Sequence, residues 1–166
     1  MKTDLLIIGS GPGGYRAAGY AARNGLSVVV AERDQAGGTC LNAGCIPTKC
    51  LAHDASAAPS DFASAMERKA LVTQQLRTGV EQLLSAPGIT LVKGQAAFTD
   101  AHTVTIGDTT VEADNIIIAT GSESRMPPIT GIDNPRVITS TEALQLQSLP
   151  ETMVIVGAGV IGMEFA

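Results

Sequence analysis

The sequence predicts an α/β protein. Its body is a Rossmann-like nucleotide-binding domain, a parallel sheet with an antiparallel β-meander in its crossover, and the start of a second Rossmann-like unit follows. Three observations predict this. The glycine fingerprint Gly9-Ser10-Gly11-Pro12-Gly13-Gly14 lies between an apolar run and an alanine-rich one, and a second, Gly157-Ala158-Gly159-Val160-Ile161-Gly162, lies near the other end. Eighteen glycines beside two tyrosines, three phenylalanines and no tryptophan in 166 residues suit close-packed βαβ units better than an aromatic-rich sandwich.

Asp4 to Ile8 reads as a buried strand that ends in the first fingerprint, and an alanine-rich helix follows to about Asn24. Ser27 to Ala31 is the next strand, a run of β-branched valines, and Glu32 closes it. Strand, glycine turn, helix, strand and acid form the dinucleotide-binding order. In that unit Gly9 makes the tight turn, Gly11 lets backbone approach a pyrophosphate, and Gly14 lets helix pack on strand. Free N–H groups and the positive end of the helix dipole face the phosphates. Glu32, 18 positions after Gly14, stands where a carboxylate accepts from a ribose.

A helical stretch from about Ser60 to Leu84 carries the apolar stripe Leu71, Leu76, Val80, Leu83 and Leu84. Four short β segments come next, Ile89 to Lys93, Ala96 to Phe98, Thr103 to Ile106 and Thr109 to Val111, with Gly107-Asp108 as a turn. They predict a small antiparallel meander. Ile116 to Ala119 returns as a buried strand and stops at Thr120-Gly121-Ser122, at the carboxyl end where open α/β sheets bind ligands. Ser122 to Pro150 reads as connecting structure with a short helix around Thr141 to Leu146. Thr152 to Val156 is then a strand leading into the second fingerprint, and a helix begins at Met163. The expected domains are residues 1–146 and, from 147 to 166, the beginning of another.

Between the first two predicted strands and the long helix lies Gly37 to Lys49, GGTCLNAGCIPTK, with Cys40 and Cys45 in it. Four residues between cysteines, a lysine close behind and no histidine suit a zinc site poorly and a redox dithiol well. On a regular helix their Cα atoms would stand about 8 to 9 Å apart, beyond the roughly 7 Å that a disulfide spans. A bridge therefore needs a distorted helix start. Gly37, Gly38, Gly44 and Pro47 supply the freedom and the interruption. Cys50, outside the motif, reads as a small packed residue. His53 and His102 have no partners that suggest a triad or metal site, and Tyr15 and Tyr20 read as helix packing.

The net charge of −5 gives no footprint for nucleic acid or an anionic membrane. Met1 and Lys2 lead straight into a strand too short for a signal peptide or membrane span. The expected compartment is the cytoplasm, where persisting disulfides are usually catalytic or redox-sensing.

With two fingerprints flanking GGTCLNAGCIPTK, the chain resembles the class I flavoprotein pyridine nucleotide-disulfide oxidoreductases over essentially all of its length. Within that family the redox motif and GGYRAAGYAARNG look most like the dihydrolipoamide dehydrogenases. The resemblance implies FAD and NAD as cofactors. Gly9, Gly11 and Gly14 would hold the FAD pyrophosphate, Glu32 the adenosine ribose, Gly38 and Thr39 would line the cofactor, and Ala96 would meet the adenine side. Thr120 and Gly121 would close over the flavin side. Cys45 would stand next to the flavin, Cys40 would exchange with substrate, and Lys49 would lie by the flavin and pair with Glu164. Gly157, Gly159 and Gly162 would receive a nicotinamide nucleotide.

The implied activity is electron transfer from dihydrolipoamide, free or on a lipoyl domain, through the Cys40–Cys45 disulfide and FAD to NAD. The implied parent is a homodimer whose C-terminal domain supplies a His–Glu base to the other subunit. Nothing in these residues matches that base, so the expectation is an N-terminal portion that does not turn over alone. Two alternatives stay open: a related disulfide reductase of the glutathione or mercuric type, and a stand-alone flavin-binding redox module.

Overall fold

The computed structural model describes residues 1–56 and 61–166. The chain divides into two compact units, Met1–Asn42 with Gln75–Gly121, and Ala43–Gln74 with Ser122–Ala166.

The first unit is built on one six-stranded sheet. Its strands are β1 (Lys2–Ile8), β2 (Val28–Glu32), β3 (Ile89–Lys93), β4 (Ala96–Phe98), β5 (Thr103–Ile106) and β6 (Thr109–Ile118), in the spatial order β3-β2-β1-β6-β5-β4. β1 pairs in parallel with both β2 and β6, and β2 with β3. β4, β5 and β6 form the antiparallel meander.

Period-two alternation divides the apolar residues of the central strands between two layers. Leu5, Ile7, Val28 and Val30 pack with Ala18 and Ala21 of helix α1 (Pro12–Arg23), Leu41 of α2 (Gly38–Ala43), and Val80 and Leu84 of α4 (Phe62–Leu84). Leu6, Ile8, Val29 and Ala31 pack instead with Val104, Ile106, Val111 and Ala113 of the meander. Leu6, Ile7 and Val30 are fully buried, each contributing about 1.5–3 kcal/mol by leaving water. A charge at any of them would have no partner in either layer.

The second unit holds α3 (Cys45–Ser56), the N-terminal half of α4, α5 (Ser140–Ala143) and α6 (Val160–Phe165). Arg68 of α4 clamps α3: its Nε donates to Asp54 Oδ2 at 2.8 Å and its Nη2 to the Cys50 carbonyl at 2.9 Å. Lys69, next along α4, donates to the Leu144 carbonyl at the end of α5. A Thr139–Glu142 capping box starts α5. Cys50 is a buried free thiol.

Five expectations are corrected. Ile89–Lys93 does not belong to the meander; it is the parallel edge strand beside β2. Thr109–Val111 and Ile116–Ala119 are not separate strands, because β1 pairs with β6 from Glu112 through to Ile118 and holds it continuous. Thr152 to Val156 is not a strand: no ladder partner runs beside it among the described residues, and Val154 and Val156 stand exposed. On α4 the buried face comprises Ala65, Thr73, Val80 and Leu84, whereas Leu71 and Leu76 point outward. The expected helix start at Ser60 lies outside the described residues. Tyr15 packs on the core as expected, but Tyr20 is exposed.

Candidate functional site

In the first unit the carboxyl ends of β1, β2 and β6 carry Gly9, Glu32 and Ala119-Thr120-Gly121. Gly9 has φ +101°, and a Cβ there would stand 2.3 Å from the Ala119 carbonyl oxygen. A Cβ on Gly14 would stand 1.9 Å from the Gly9 oxygen, so helix and turn meet at backbone distance. Gly11 caps α1 with extended backbone and no side-chain cap, and Pro12 follows in the first turn. The N–H groups of that turn have no intrahelical acceptor, which suits them to a pyrophosphate. The redox motif enters the same cradle, since a Cβ on Gly38 would lie 2.6 Å from Gly11 Cα. A dinucleotide such as FAD fits this donor set and this bare backbone.

Glu32 is buried with both carboxylate oxygens engaged. Oε2 accepts from the Ser10 N–H at 2.9 Å and the Ser10 hydroxyl at 2.5 Å, and Oε1 accepts from the Asp34 N–H at 2.9 Å. Burial pushes its pKa up, but the Ser10 hydroxyl, the Asp34 and Ser10 amides and the nearby Lys93 cation outweigh that and hold it below the usual carboxylate value. Glu32 is therefore a fixed anion with a defined lone-pair direction. Ala96 opens β4, three residues beyond Lys93, which pairs with Glu32 in register.

The dithiol sits where the helix breaks. Cys40 lies in the six-residue α2, Gly44 interrupts, and Cys45 opens α3. Cys40 and Cys45 are joined as a disulfide. The distorted helix start expected from their spacing is thus present, and Pro47 occupies the first turn of α3, where its missing N–H costs nothing. Asn42 closes the turn: its Nδ2 donates to the Ala36 carbonyl at 2.9 Å and the Gly38 carbonyl at 3.0 Å, while its Oδ1 accepts from Arg77 Nε at 2.9 Å.

The second fingerprint repeats the geometry of the first. Gly157 has φ +118°, a Cβ on Gly162 would lie 2.1 Å from the Gly157 oxygen, and Gly159 caps α6 with extended backbone. Within this unit α3, bearing Lys49, lies against α6, bearing Glu164. Both side chains are exposed, and no ion pair joins them among the described residues. Nor, among the described residues, is any cluster of three or more His, Cys, Asp or Glu arranged for a metal ion, and no helix is long and apolar enough to cross a membrane.

Three site residues escape sequence reasoning. Ser10 sits in a fingerprint position that tolerates many residues, Asn42 is masked by its cysteine neighbours, and Arg77 is one cation on a polar helix face.

Residues 3–166 match the family model described as pyridine nucleotide-disulphide oxidoreductase. The chain is 42% identical to dihydrolipoyl dehydrogenase 2 of Haloarcula marismortui and 43% identical to dihydrolipoyl dehydrogenase of Haloferax volcanii, in each case over 99% of this chain and 39% of the relative. Among solved structures, the Cu(II) complex of the HOCl-induced flavoprotein disulfide reductase RclA from Escherichia coli superposes with a TM-score of 0.95 at 39% identity, over 99% of this chain and 39% of that one. The chain thus spans about two fifths of the length of the relatives it matches.

Proposed function

The chain belongs to the pyridine nucleotide-disulphide oxidoreductase family, and from that membership we propose that it supplies the flavin site and redox disulfide of an FAD-dependent dithiol/disulfide oxidoreductase. One observation carries the reading: the Cys40–Cys45 disulfide bridges a helix break, and Gly38, which opens the helix that carries Cys40, lies against the glycine turn at Gly11. The substrate in this reading is dihydrolipoamide, free or on a lipoyl domain, and the final acceptor is NAD.

A substrate thiolate attacks Cys40 sulfur, the Cys40–Cys45 bond breaks, and Cys45 leaves as thiolate. The second substrate thiolate then attacks the mixed disulfide, which frees Cys40 and releases substrate as a cyclic disulfide with two electrons fewer. FAD, if held by this glycine cradle, would supply the two-electron acceptor that lets Cys40 and Cys45 close again as a disulfide, and NAD would be the final oxidant.

Gly9, Gly11 and Gly14 hold the pyrophosphate in this scheme, Glu32 the ribose, Ala96 the adenine side, and Gly38, Thr39, Thr120 and Gly121 the rest of the cofactor. Lys49, four residues after Cys45 on α3, favours the thiolate through its charge. Glu164 of α6 is its expected partner, although no ion pair joins the two side chains among the described residues. Gly157, Gly159 and Gly162 take the nicotinamide nucleotide. Residues 1–146 form the flavin domain and 147–166 open the next, in a cytoplasmic homodimer whose partner subunit provides the base.

The likeness to RclA, described as an HOCl-induced flavoprotein disulfide reductase, favours a second reading, a related disulfide reductase acting on another disulfide. Assay of the full-length protein carrying this sequence separates the two. Dihydrolipoamide with NAD is the expected productive pair; activity only with NADPH and a disulfide such as oxidised glutathione would move the assignment to the second reading.

A further inference from the structure

We propose that Arg77 is a positioning residue for the redox turn, acting on Cys40 through Asn42. The inference rests on the disulfide chemistry above and adds a residue that the redox motif does not contain. Cys40 rides on α2, six residues long and too short to hold its own geometry. The turn that leads into α2 takes two successive left-handed residues, Gly37 at φ +102° and Gly38 at φ +66°. No sheet ladder fixes such a turn. Its anchors are the Gly37 N–H to Ser10 carbonyl bond at 3.0 Å and the two bonds from Asn42.

The Asn42 amide can serve only in one orientation. Its NH2 must face the Ala36 and Gly38 carbonyls, because a flipped amide would set oxygen against two acceptors. Arg77 enforces that orientation. A guanidinium only donates, so Nε at 2.9 Å admits Oδ1 and rejects NH2. The same bond polarises the amide and strengthens its donors. Arg77 is held in turn by α4, whose next turns bury Val80 and Leu84 in the core of the same unit. The rigidity of the core thereby reaches the thiol that meets substrate.

The test uses the full-length flavoprotein with R77M, R77K, N42A and R77M/N42A. Three quantities are read: kcat/KM with dihydrolipoamide, electron transfer from NADH to ferricyanide, which does not need Cys40, and the rate at which iodoacetamide labels Cys40 in the reduced protein. For R77M we expect kcat/KM with the dithiol to fall about tenfold, as a slight misplacement of a reacting group does. Ferricyanide reduction and flavin content stay within about twofold, and Cys40 labels at least about threefold faster because the released turn opens more often. R77K restores most of the loss and keeps the test open should R77M not fold. R77M/N42A matches N42A alone, since both act on one linkage.

Unchanged labelling, additive loss in the double variant, or an equal fall in ferricyanide reduction and flavin content would overturn the proposal. Failure of the wild type to exchange with any dithiol would instead sink the functional reading. The labelling comparison would still decide the role of Arg77.

Discussion

Ser10 gives Glu32 two hydrogen bonds at once, its N–H at 2.9 Å and its hydroxyl at 2.5 Å, so one buried residue of the glycine turn fixes the acid at the end of the next strand. Ser10→Ala removes a hydroxyl donor to a carboxylate and should cost about 1.5–3 kcal/mol. The effect is pH-dependent with a definite sign. Because the folded-state pKa of Glu32 is depressed, its contribution is present above the unfolded carboxyl pKa, about 4.3, and is lost as pH falls through the lower folded value. Urea midpoints from pH 6 down to pH 3 should therefore drop less steeply in Ser10→Ala than in wild type. An equally steep acid limb would show that Ser10 does not set the Glu32 pKa.

The three cysteines should label in distinct classes. Without reductant, only Cys50 is free, and it is buried, so a maleimide reacts slowly in the folded chain and once per chain after unfolding. Reduction before unfolding should raise the count to three, with Cys40 and Cys45 the added sites by mass mapping. Cys50→Ser should leave dithiol exchange intact, while Cys40→Ser and Cys45→Ser each abolish it. Loss of exchange in Cys50→Ser would make that thiol part of the relay.

Arg68→Ala should loosen the far end of α3. The Arg68 bond is the leading cause that holds the Asp54 carboxyl below its ordinary pKa, and the same guanidinium binds the Cys50 carbonyl. Amide hydrogen exchange over residues 50–56 should quicken in the variant at neutral pH. In wild type, protection relative to the intrinsic exchange rate at each pH should fall only as acid protonates Asp54, because a depressed carboxyl pKa stabilises above its titration and not below it. Identical exchange in the two proteins at neutral pH would remove the clamp from the account.

What the sequence disclosed was local and what it hid was long-range. The run Leu5 to Ile8, the glycines after it and the valines at 28–30 encode β1, the turn and β2 by composition and spacing alone, and Cys40 with Cys45 announced a broken helix by being too far apart for a regular one. The continuity of β6 through Glu112, Ala113 and Asp114 was not visible, because it comes from pairing with β1, more than a hundred residues earlier. The same holds for β3, whose apolar residues fit a meander as well as a parallel edge. Leu71 and Leu76 misled because a helical stripe says which residues are apolar, not which face a neighbour covers. Arg77 reaches Asn42 across 35 positions, and no local pattern marks such a pair.

The matched fingerprints allow the two nucleotide functions to be separated by equivalent substitutions. Gly14→Ala brings a methyl to 1.9 Å from the Gly9 oxygen and Gly162→Ala brings one to 2.1 Å from the Gly157 oxygen, with the same residues' carbonyl carbons next at 2.9 and 3.2 Å. In both cases the obstacle is backbone, which cannot rotate aside as a side chain would. Such overpacking costs about 1–3 kcal/mol where the surroundings yield. At Gly14 they yield little, since the Gly9 turn is itself wedged against the Ala119 carbonyl. A Cβ added at Gly157 would meet nothing within 4 Å. In the full-length protein, Gly14→Ala should lose bound flavin and melt at lower temperature. Gly162→Ala should keep its flavin absorbance and its dithiol-driven bleaching of that absorbance while losing reoxidation by NAD. Visible spectra before and after anaerobic addition of dihydrolipoamide, then of NAD, measure all three properties. Flavin loss from Gly162→Ala with retention in Gly14→Ala would reverse the assignment of the two sites.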